Sequence, residues 1–195
     1  MKPLLTLPVH EVMRAGLLAG APWVEVSLDL GRSRSRVVLD DGGWTVDRQR
    51  FPWLADCRER TIHYWDGSAF QQAARYASGL VKLVPTEWGP PTFEIDGIKM
   101  LPTADVSPWE DAARKVALVR PRGRVVLDTC GGLGYFAAWC LARGATRVLS
   151  FEKNPDVMWL RGINPWSPEG GDGDVPGALE LRAGDITQEI QALPA

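Results

Sequence analysis

The chain has 195 residues, of which 45% are hydrophobic and 24% charged, and its formal net charge is −2. These values are typical of a soluble globular protein with one large or two small domains, and they give no sign of a nucleic-acid or membrane surface. Three cysteines without a CxxC pair favour reduced thiols over a metal site. Residues 4–9 are too short and too interrupted for a signal peptide or a membrane span, so we predict a cytoplasmic protein.

The N-terminal half has the pattern of a small β-rich domain. Residues 9–18 have the spacing of a short amphipathic helix, and residues 23–30 and 34–39 alternate apolar and polar side chains. These two alternating segments predict an antiparallel meander. We expect a further helix at residues 69–78, and a hairpin at residues 93–100.

From about residue 107 the pattern changes to alternating helices and strands. Ser107, Pro108 and Glu110 form an N-terminal helix signature, for a helix that reaches about Val119. The elements predicted after it are strands at 125–128, 147–152 and 178–182 and helices at 135–143, 155–161 and 186–193. Strand–helix–strand alternation predicts a parallel sheet covered on both faces.

The fold class expected from these patterns is therefore α/β. A partial Rossmann-type parallel sheet is preceded by a small β-rich α+β domain. We place the first domain at residues 1–103 and the second at residues 104–195.

The segment VVLDTCGGLGY indicates a nucleotide-type turn between a strand and a helix. The apolar strand ends in a turn where Gly132 and Gly134 let the backbone approach a ligand at the N-terminus of the next helix. Glu152 ends the second strand about 20 residues later, so the pattern also fits the dinucleotide fingerprint. The glycines alone therefore do not decide between nucleotide cofactors.

Three carboxylates at the ends of successive strands favour S-adenosylmethionine. Asp128 beside the turn would oppose a pyrophosphate, but it suits the ammonium group of S-adenosylmethionine. Glu152 can accept hydrogen bonds from ribose hydroxyls, and Asp185 lies where an adenine amino group could donate. The alternative is structural, because Asp128 and Asp185 could each cap the helix that follows.

The same segments carry a family resemblance. VLDTCGGLGY, VLSFEKNP and NPWS, with WVEVSLDLG and FEIDGIKM earlier in the chain, resemble class I S-adenosylmethionine-dependent methyltransferases of a predicted spermidine-synthase-like family. The resemblance covers most of the chain after about Pro22 and implies a small β-rich domain before a Rossmann domain. Cys130 stands where broader methyltransferases often have a glycine, and Gly131 where close relatives often have threonine. The cofactor-site residues that the resemblance implies are Asp128, Gly132, Gly134, Glu152 and Asp185.

The resemblance also implies that part of the fold is missing. In this family the residues that orient the methyl acceptor usually follow the fourth strand, whereas this chain supplies three. We therefore expect a chain truncated after the third strand, with unknown catalytic residues and an unknown acceptor. Asn164 and Pro165 superficially resemble the acceptor motif, but they follow a helix, and Pro165 is better explained as its end. Whether the chain is a fragment, a degenerate protein or a partner-completed subunit stays open.

The absent fourth strand has a physical consequence. The strand at 125–128 becomes an apolar edge, which favours aggregation, a homo-oligomer or a complementing chain.

A separate feature is basic: Arg32, Arg34 and Arg36 alternate along a predicted hairpin and could contact RNA phosphates. Acidic neighbours make a solvated face the favoured interpretation, so we do not favour nucleic-acid binding.

The leading hypothesis is an S-adenosylmethionine-dependent methyltransferase that lacks its catalytic half. The first alternative is an aminopropyltransferase that uses decarboxylated S-adenosylmethionine. A second is an NAD-linked oxidoreductase, which Asp128 disfavours. A non-catalytic cofactor-binding subunit completed by a partner chain is the third.

Overall fold

The computed structural model describes residues 2–169 and 178–192. The chain forms two compact units, Met1–Ala74 with Leu83–Pro91 and Arg75–Lys82 with Thr92–Ala195. Within the described ranges, no helix has both the length and the apolar character needed to cross a membrane.

The first unit combines one helix with two antiparallel sheets, one of which contains the meander that the alternating segments predicted. Its elements are β1 (Leu4–Leu5), α1 (Leu7–Leu18), β2 (Trp23–Val26), β3 (Ser35–Asp40), β4 (Gly43–Val46), β5 (Gln49–Phe51), β6 (His63–Trp65) and β7 (Phe70–Gln72). The sheet orders are β2-β3-β4-β5 and β1-β6-β7. Trp44 stacks on Phe51 in the core, with ring centroids 4.6 Å apart. β2 is shorter than predicted, because the Asp29 carboxylate accepts hydrogen bonds from Ser27 and Ser33 in the loop after it.

The helix predicted at residues 69–78 is wrong. The segment forms β7 and β8 (Ala74–Tyr76). The Asp66 carboxylate accepts hydrogen bonds from two backbone N–H groups in the turn before β7, and Phe70 packs against Trp65, 5.1 Å between ring centroids. Cross-strand aromatic contact and turn chemistry therefore override the helix propensity of the alanine and glutamine residues.

Apart from a strand at Leu80–Val84 that was not predicted, the remaining elements follow the predicted order. They are β9 (Leu80–Val84), β10 (Thr92–Ile95), β11 (Ile98–Lys99), α2 (Pro108–Val119), β12 (Val125–Asp128), α3 (Tyr135–Ala142), β13 (Arg147–Glu152), α4 (Pro155–Ile163), β14 (Leu179–Ala183) and α5 (Ile186–Glu189), with a 3₁₀ turn at Ile190–Ala192. The predicted hairpin is confirmed, because β10 and β11 pair antiparallel around Asp96 and Gly97. The helix signature is also confirmed, since Ser107 Oγ accepts a hydrogen bond from the Glu110 N–H at 3.0 Å. The last residue of the helix predicted at 186–193 lies outside the described residues.

The parallel sheet of the second unit has the order β12-β13-β14. One face is covered by α2 and α3, whose Val116, Ala137 and Cys140 form a buried cluster with Val126 and Val148. Among the described strands β12 pairs with β13 alone. Within the described residues it is therefore an edge strand, with Val126 in the buried cluster and Val125 and Leu127 exposed.

Candidate cofactor-binding site

The turn between β12 and α3 is fixed to β13 by hydrogen bonds from two of its backbone N–H groups. The N–H of Gly131 donates to Phe151 O at 2.7 Å, and the N–H of Gly132 donates to Glu152 Oε2 at 2.9 Å. Gly132 has a φ of 49°, in the left-handed region that favours glycine. A Cβ at this position would have the Phe93 ring as its nearest neighbour, at 3.5 Å. The missing side chain therefore leaves space beside the ring of the buried Phe93.

That space belongs to a cleft of about 570 Å³. Its size is within the range of small-molecule sites. Three of the five predicted residues line it: Asp128, Gly132 and Glu152. The apolar part of the wall is formed by Phe93, Ile95, Met100, Leu101, Leu127, Leu133, Tyr135, Phe136 and Val157. The cleft thus combines three carboxylates, those of Asp111, Asp128 and Glu152, with aromatic and aliphatic surface.

Asp128 lies at the carboxyl end of β12 with 8% of its surface exposed. Burial raises the pKa of its carboxyl group, and a hydrogen bond from Ser150 and the nearby Arg161 oppose that rise. The Ser150 Oγ donates to Asp128 Oδ2 at 2.8 Å. The capping alternative does not hold for Asp128, because the N-cap of α3 is Gly134.

Glu152 is held by the backbone on both sides of its carboxylate. Oε2 accepts from the Gly132 N–H, and Oε1 accepts from the Asn154 N–H, each at 2.9 Å. A carboxylate offers about four acceptor positions, so two remain for a ligand. Glu152 can therefore fix the turn and still accept hydrogen bonds from hydroxyl groups in the cleft.

Arg161 of α4 completes the polar cluster, and the sequence interpretation missed it. The side chain is 6% exposed. Its Nε donates to Gly132 O at 2.5 Å, and its Nη2 donates to Ser150 Oγ at 3.3 Å. Burial lowers the pKa of Arg161, while Asp128 and Glu152 raise it. Ser150 therefore connects a buried cation to the buried Asp128.

A sequence signal for Arg161 existed. Val157, Leu160 and Arg161 are the buried residues of α4, at the spacing of one helix face. A charged residue on an apolar stripe indicates a buried partner. Arg161 also explains Gly131, where an added Cβ would lie 2.0 Å from Arg161 Nη2 and 2.4 Å from Ser150 Oγ.

The other two predicted residues lie outside the cleft lining. Gly134, with a φ of 83°, is the N-cap of α3. Asp185 caps α5, accepting from the Thr187 N–H at 3.0 Å, and hydrogen bonds from Thr187 lower its pKa. The capping alternative thus describes what Asp185 does in this structure.

Asn164 is buried and acts within the protein. Its Nδ2 donates to the Tyr135 hydroxyl and to Ser167 Oγ, each at 2.9 Å. The arrangement fixes the end of α4 against α3. No methyl acceptor needs to be invoked to explain Asn164.

The cleft also contains an ion pair from α2. Lys115 Nζ lies 2.6 Å from Asp111 Oδ2, and both residues line the cleft. Lys115 supplies the positive charge among the described lining residues. A pair of this kind, in which Lys115 is exposed and Asp111 partly exposed, contributes about 0–1 kcal/mol, so a ligand can replace either partner at low cost.

Comparisons with known proteins leave the family open. No protein-family model matches the chain. A 105-residue segment, 53% of this chain, is 50% identical to an uncharacterized protein of Methanocaldococcus jannaschii, and it covers 35% of that protein. The chain thus spans about a third of the length of the curated relative that it matches.

Similar solved structures include the spermidine synthase of Thermotoga maritima. It is 16% identical, over 64% of this chain and 46% of that chain, with a TM-score of 0.46. A tRNA methyltransferase of M. jannaschii is 10% identical, over 95% of this chain and 72% of that chain, with a TM-score of 0.33. At these TM-scores the likenesses carry no argument about the activity of this chain.

Proposed function

We propose that the second unit binds S-adenosylmethionine and that the protein of which this chain forms all or part transfers its methyl group. One observation carries the proposal. Asp128 and Glu152, at the carboxyl ends of adjacent parallel strands, line one cleft together with the open Gly132. The carboxyl edge of a parallel sheet is where nucleotide ligands bind in α/β proteins.

Two carboxylates of the cleft suit two groups of this cofactor, its ammonium group and its ribose hydroxyls. Asp128 would hold the ammonium group, because a buried carboxylate gains most from a cationic partner. Glu152 would accept the ribose hydroxyls with the acceptor positions that the backbone leaves unused. When bound, S-adenosylmethionine supplies a methyl group activated by its positive sulfonium. The residues of this chain bind and orient it beside the Gly132 backbone.

Two members of the predicted site have weaker support. Asp185 caps α5, and its Oδ1 accepts hydrogen bonds from the Thr187 N–H and hydroxyl groups, so adenine would have to share this carboxylate with the cap. Gly134 lies outside the cleft lining, and it would act only by giving the turn the backbone conformation that begins α3. Asp128, Gly132 and Glu152 are therefore the residues to test first.

Lys115 favours a cofactor that has a carboxylate. S-adenosylmethionine carries one on its methionine end, and the decarboxylated donor of aminopropyl transfer does not. A lysine at this cleft would stabilise the first and not the second. The observation supports methyl transfer over the aminopropyl alternative.

Isothermal calorimetry with S-adenosylhomocysteine and, separately, NAD tests the proposal. We expect saturable binding of S-adenosylhomocysteine alone. Asp128→Asn and Glu152→Gln should each lower its affinity by about 10- to 100-fold, the loss of a charge-assisted hydrogen bond. Asp105→Asn is the control, because Asp105 is an exposed carboxylate outside the cleft. Binding of NAD alone, or equal binding by all variants, would refute the proposal.

A further inference from the structure

We propose that Arg161 is a positioning residue of this cofactor site with two separable tasks. Its Nε shapes the glycine turn through Gly132 O, and its positive charge balances Asp128. The inference rests on the proposed function, because the site it organises is the proposed cofactor site.

The shaping task follows from the hydrogen bonds. Nε of Arg161 reaches the Gly132 carbonyl and Nη2 reaches Ser150 Oγ, so one planar guanidinium joins the turn to β13. A lysine has a single ammonium and no fork, and it cannot make both contacts with this geometry. The direction of the Gly132 carbonyl group is part of the conformation of the turn. Because Arg161 holds that carbonyl, the turn conformation at Gly132 depends on an arginine at position 161.

The charge task follows from burial. Asp128 and Arg161 are 8% and 6% exposed, and Ser150, between them, is 0% exposed. Leaving a buried charge without a compensating charge nearby is strongly destabilising. Burial raises the pKa of Asp128, and Arg161 is among the groups that lower it. Without Arg161, Asp128 would hold its proton to higher pH.

The other groups around Asp128 do not replace this charge. Glu152 on β13 is acidic and raises the pKa of Asp128. Cys140 on α3 is neutral, because burial raises its pKa to about 11. On α2, Lys115 is paired with Asp111. Arg161 is thus the cation among the described residues whose charge lowers the pKa of Asp128.

One nitrogen of Arg161 indicates that stability alone does not explain the residue. In the described structure Nη1 is buried and has no hydrogen-bond partner. A buried donor without an acceptor destabilises the folded state. Proteins tolerate costs of this kind where a group serves a site.

The test measures the affinity for S-adenosylhomocysteine as a function of pH, between about pH 4.5 and 7, where its own charges are constant. The wild-type chain, Arg161→Met and Arg161→Lys are compared. Methylthioadenosine, which lacks the ammonium group, serves as the control ligand. Thermal unfolding of each variant verifies that it is folded at each pH.

The two variants separate the two tasks. For Arg161→Met we expect the affinity to fall at a higher pH than in the wild type, because Asp128 then holds its proton to higher pH. Between the two transitions the variant should bind about tenfold more weakly, as expected for the loss of a charge-assisted hydrogen bond. Methylthioadenosine binding should show no such pH dependence. Arg161→Lys should keep the wild-type pH profile but bind about tenfold more weakly at every pH, as expected for the loss of a charge-assisted hydrogen bond.

Each of the two tasks has a result that would overturn it. Parallel pH profiles for the wild type and Arg161→Met would overturn the charge task, and unchanged affinity of Arg161→Lys would overturn the shaping task. If Arg161→Met does not fold, Arg161→Gln replaces it with the same expectation. Absence of S-adenosylhomocysteine binding by the wild type would instead refute the proposed function, and the inference with it.

Discussion

Replacing Gly131 with alanine tests how the turn, Ser150 and Arg161 fit together. The backbone at Gly131 lies outside the left-handed region, so alanine meets no strain there. Its Cβ, however, would lie 2.0 Å from Arg161 Nη2, 2.4 Å from Ser150 Oγ and 3.1 Å from Phe151 O. Ordinary contact is about 3.5 Å. Arg161 and Ser150 must therefore move by about 1 Å or more.

The expected loss of stability combines two effects. Overpacking a buried site costs about 1–3 kcal/mol. Displacing the Arg161 guanidinium weakens a charge-assisted hydrogen bond to Gly132 O, worth about 1.5–3 kcal/mol. We expect Gly131→Ala to lower the free energy of unfolding by about 2.5–6 kcal/mol, measured by urea denaturation followed by circular dichroism.

Gly162→Ala is the matched control. Gly162 lies in α4, and an added Cβ would have no heavy atom within 4 Å. Alanine in a helix should stabilise the protein by about 0.5–1 kcal/mol. In an Arg161→Ala background the cost of Gly131→Ala should fall, with a coupling energy of about 1–3 kcal/mol. A Gly131→Ala cost below about 0.5 kcal/mol, or strict additivity, would refute the reasoning.

Three further outcomes are expected. Lys115→Met should lower the affinity for S-adenosylhomocysteine by about tenfold, as for a lost charged contact, and leave methylthioadenosine binding unchanged; equal losses for both ligands would contradict a carboxylate contact. Val125 is 65% exposed on β12, so Val125→Lys should reduce concentration-dependent self-association in light scattering. Self-association that persists in the variant would exclude the β12 edge as the contact between copies. Hydrogen bonds from Ala69 and Ser68 lower the pKa of Asp66 to about 2, so Asp66→Asn should lower the melting temperature near neutral pH. That difference should disappear as the pH falls from about 4 to 2, and a constant difference would contradict the assignment.

Local patterns of the sequence were sufficient for most of the second unit. Apolar runs between glycine and proline residues predicted β12, β13 and their parallel pairing, and the capping signature at Ser107 predicted α2. The carboxylates at strand ends predicted that Asp128 and Glu152 would share a site. These features depend on neighbours in the chain or on the fixed geometry of parallel strands.

Features that depend on distant contacts were missed. Residues 69–78 contain helix formers, but Phe70 packs on Trp65 across a strand pair. Arg161 joins Gly132 and Ser150, which lie 29 and 11 residues away in the chain. Local periodicity cannot identify which distant partner a buried cation meets, although it does show that the cation is buried.

The two backbone hydrogen bonds to Glu152 have a consequence for the thermodynamics of binding. A glutamate side chain that is free in solution loses rotamer entropy when a ligand orders it, about 0.5–1.5 kcal/mol. Here the Gly132 and Asn154 N–H groups have already fixed the carboxylate, so that entropy was lost during folding. A hydroxyl-bearing ligand therefore meets a preorganised acceptor, and the binding entropy should be less unfavourable than the number of polar contacts suggests.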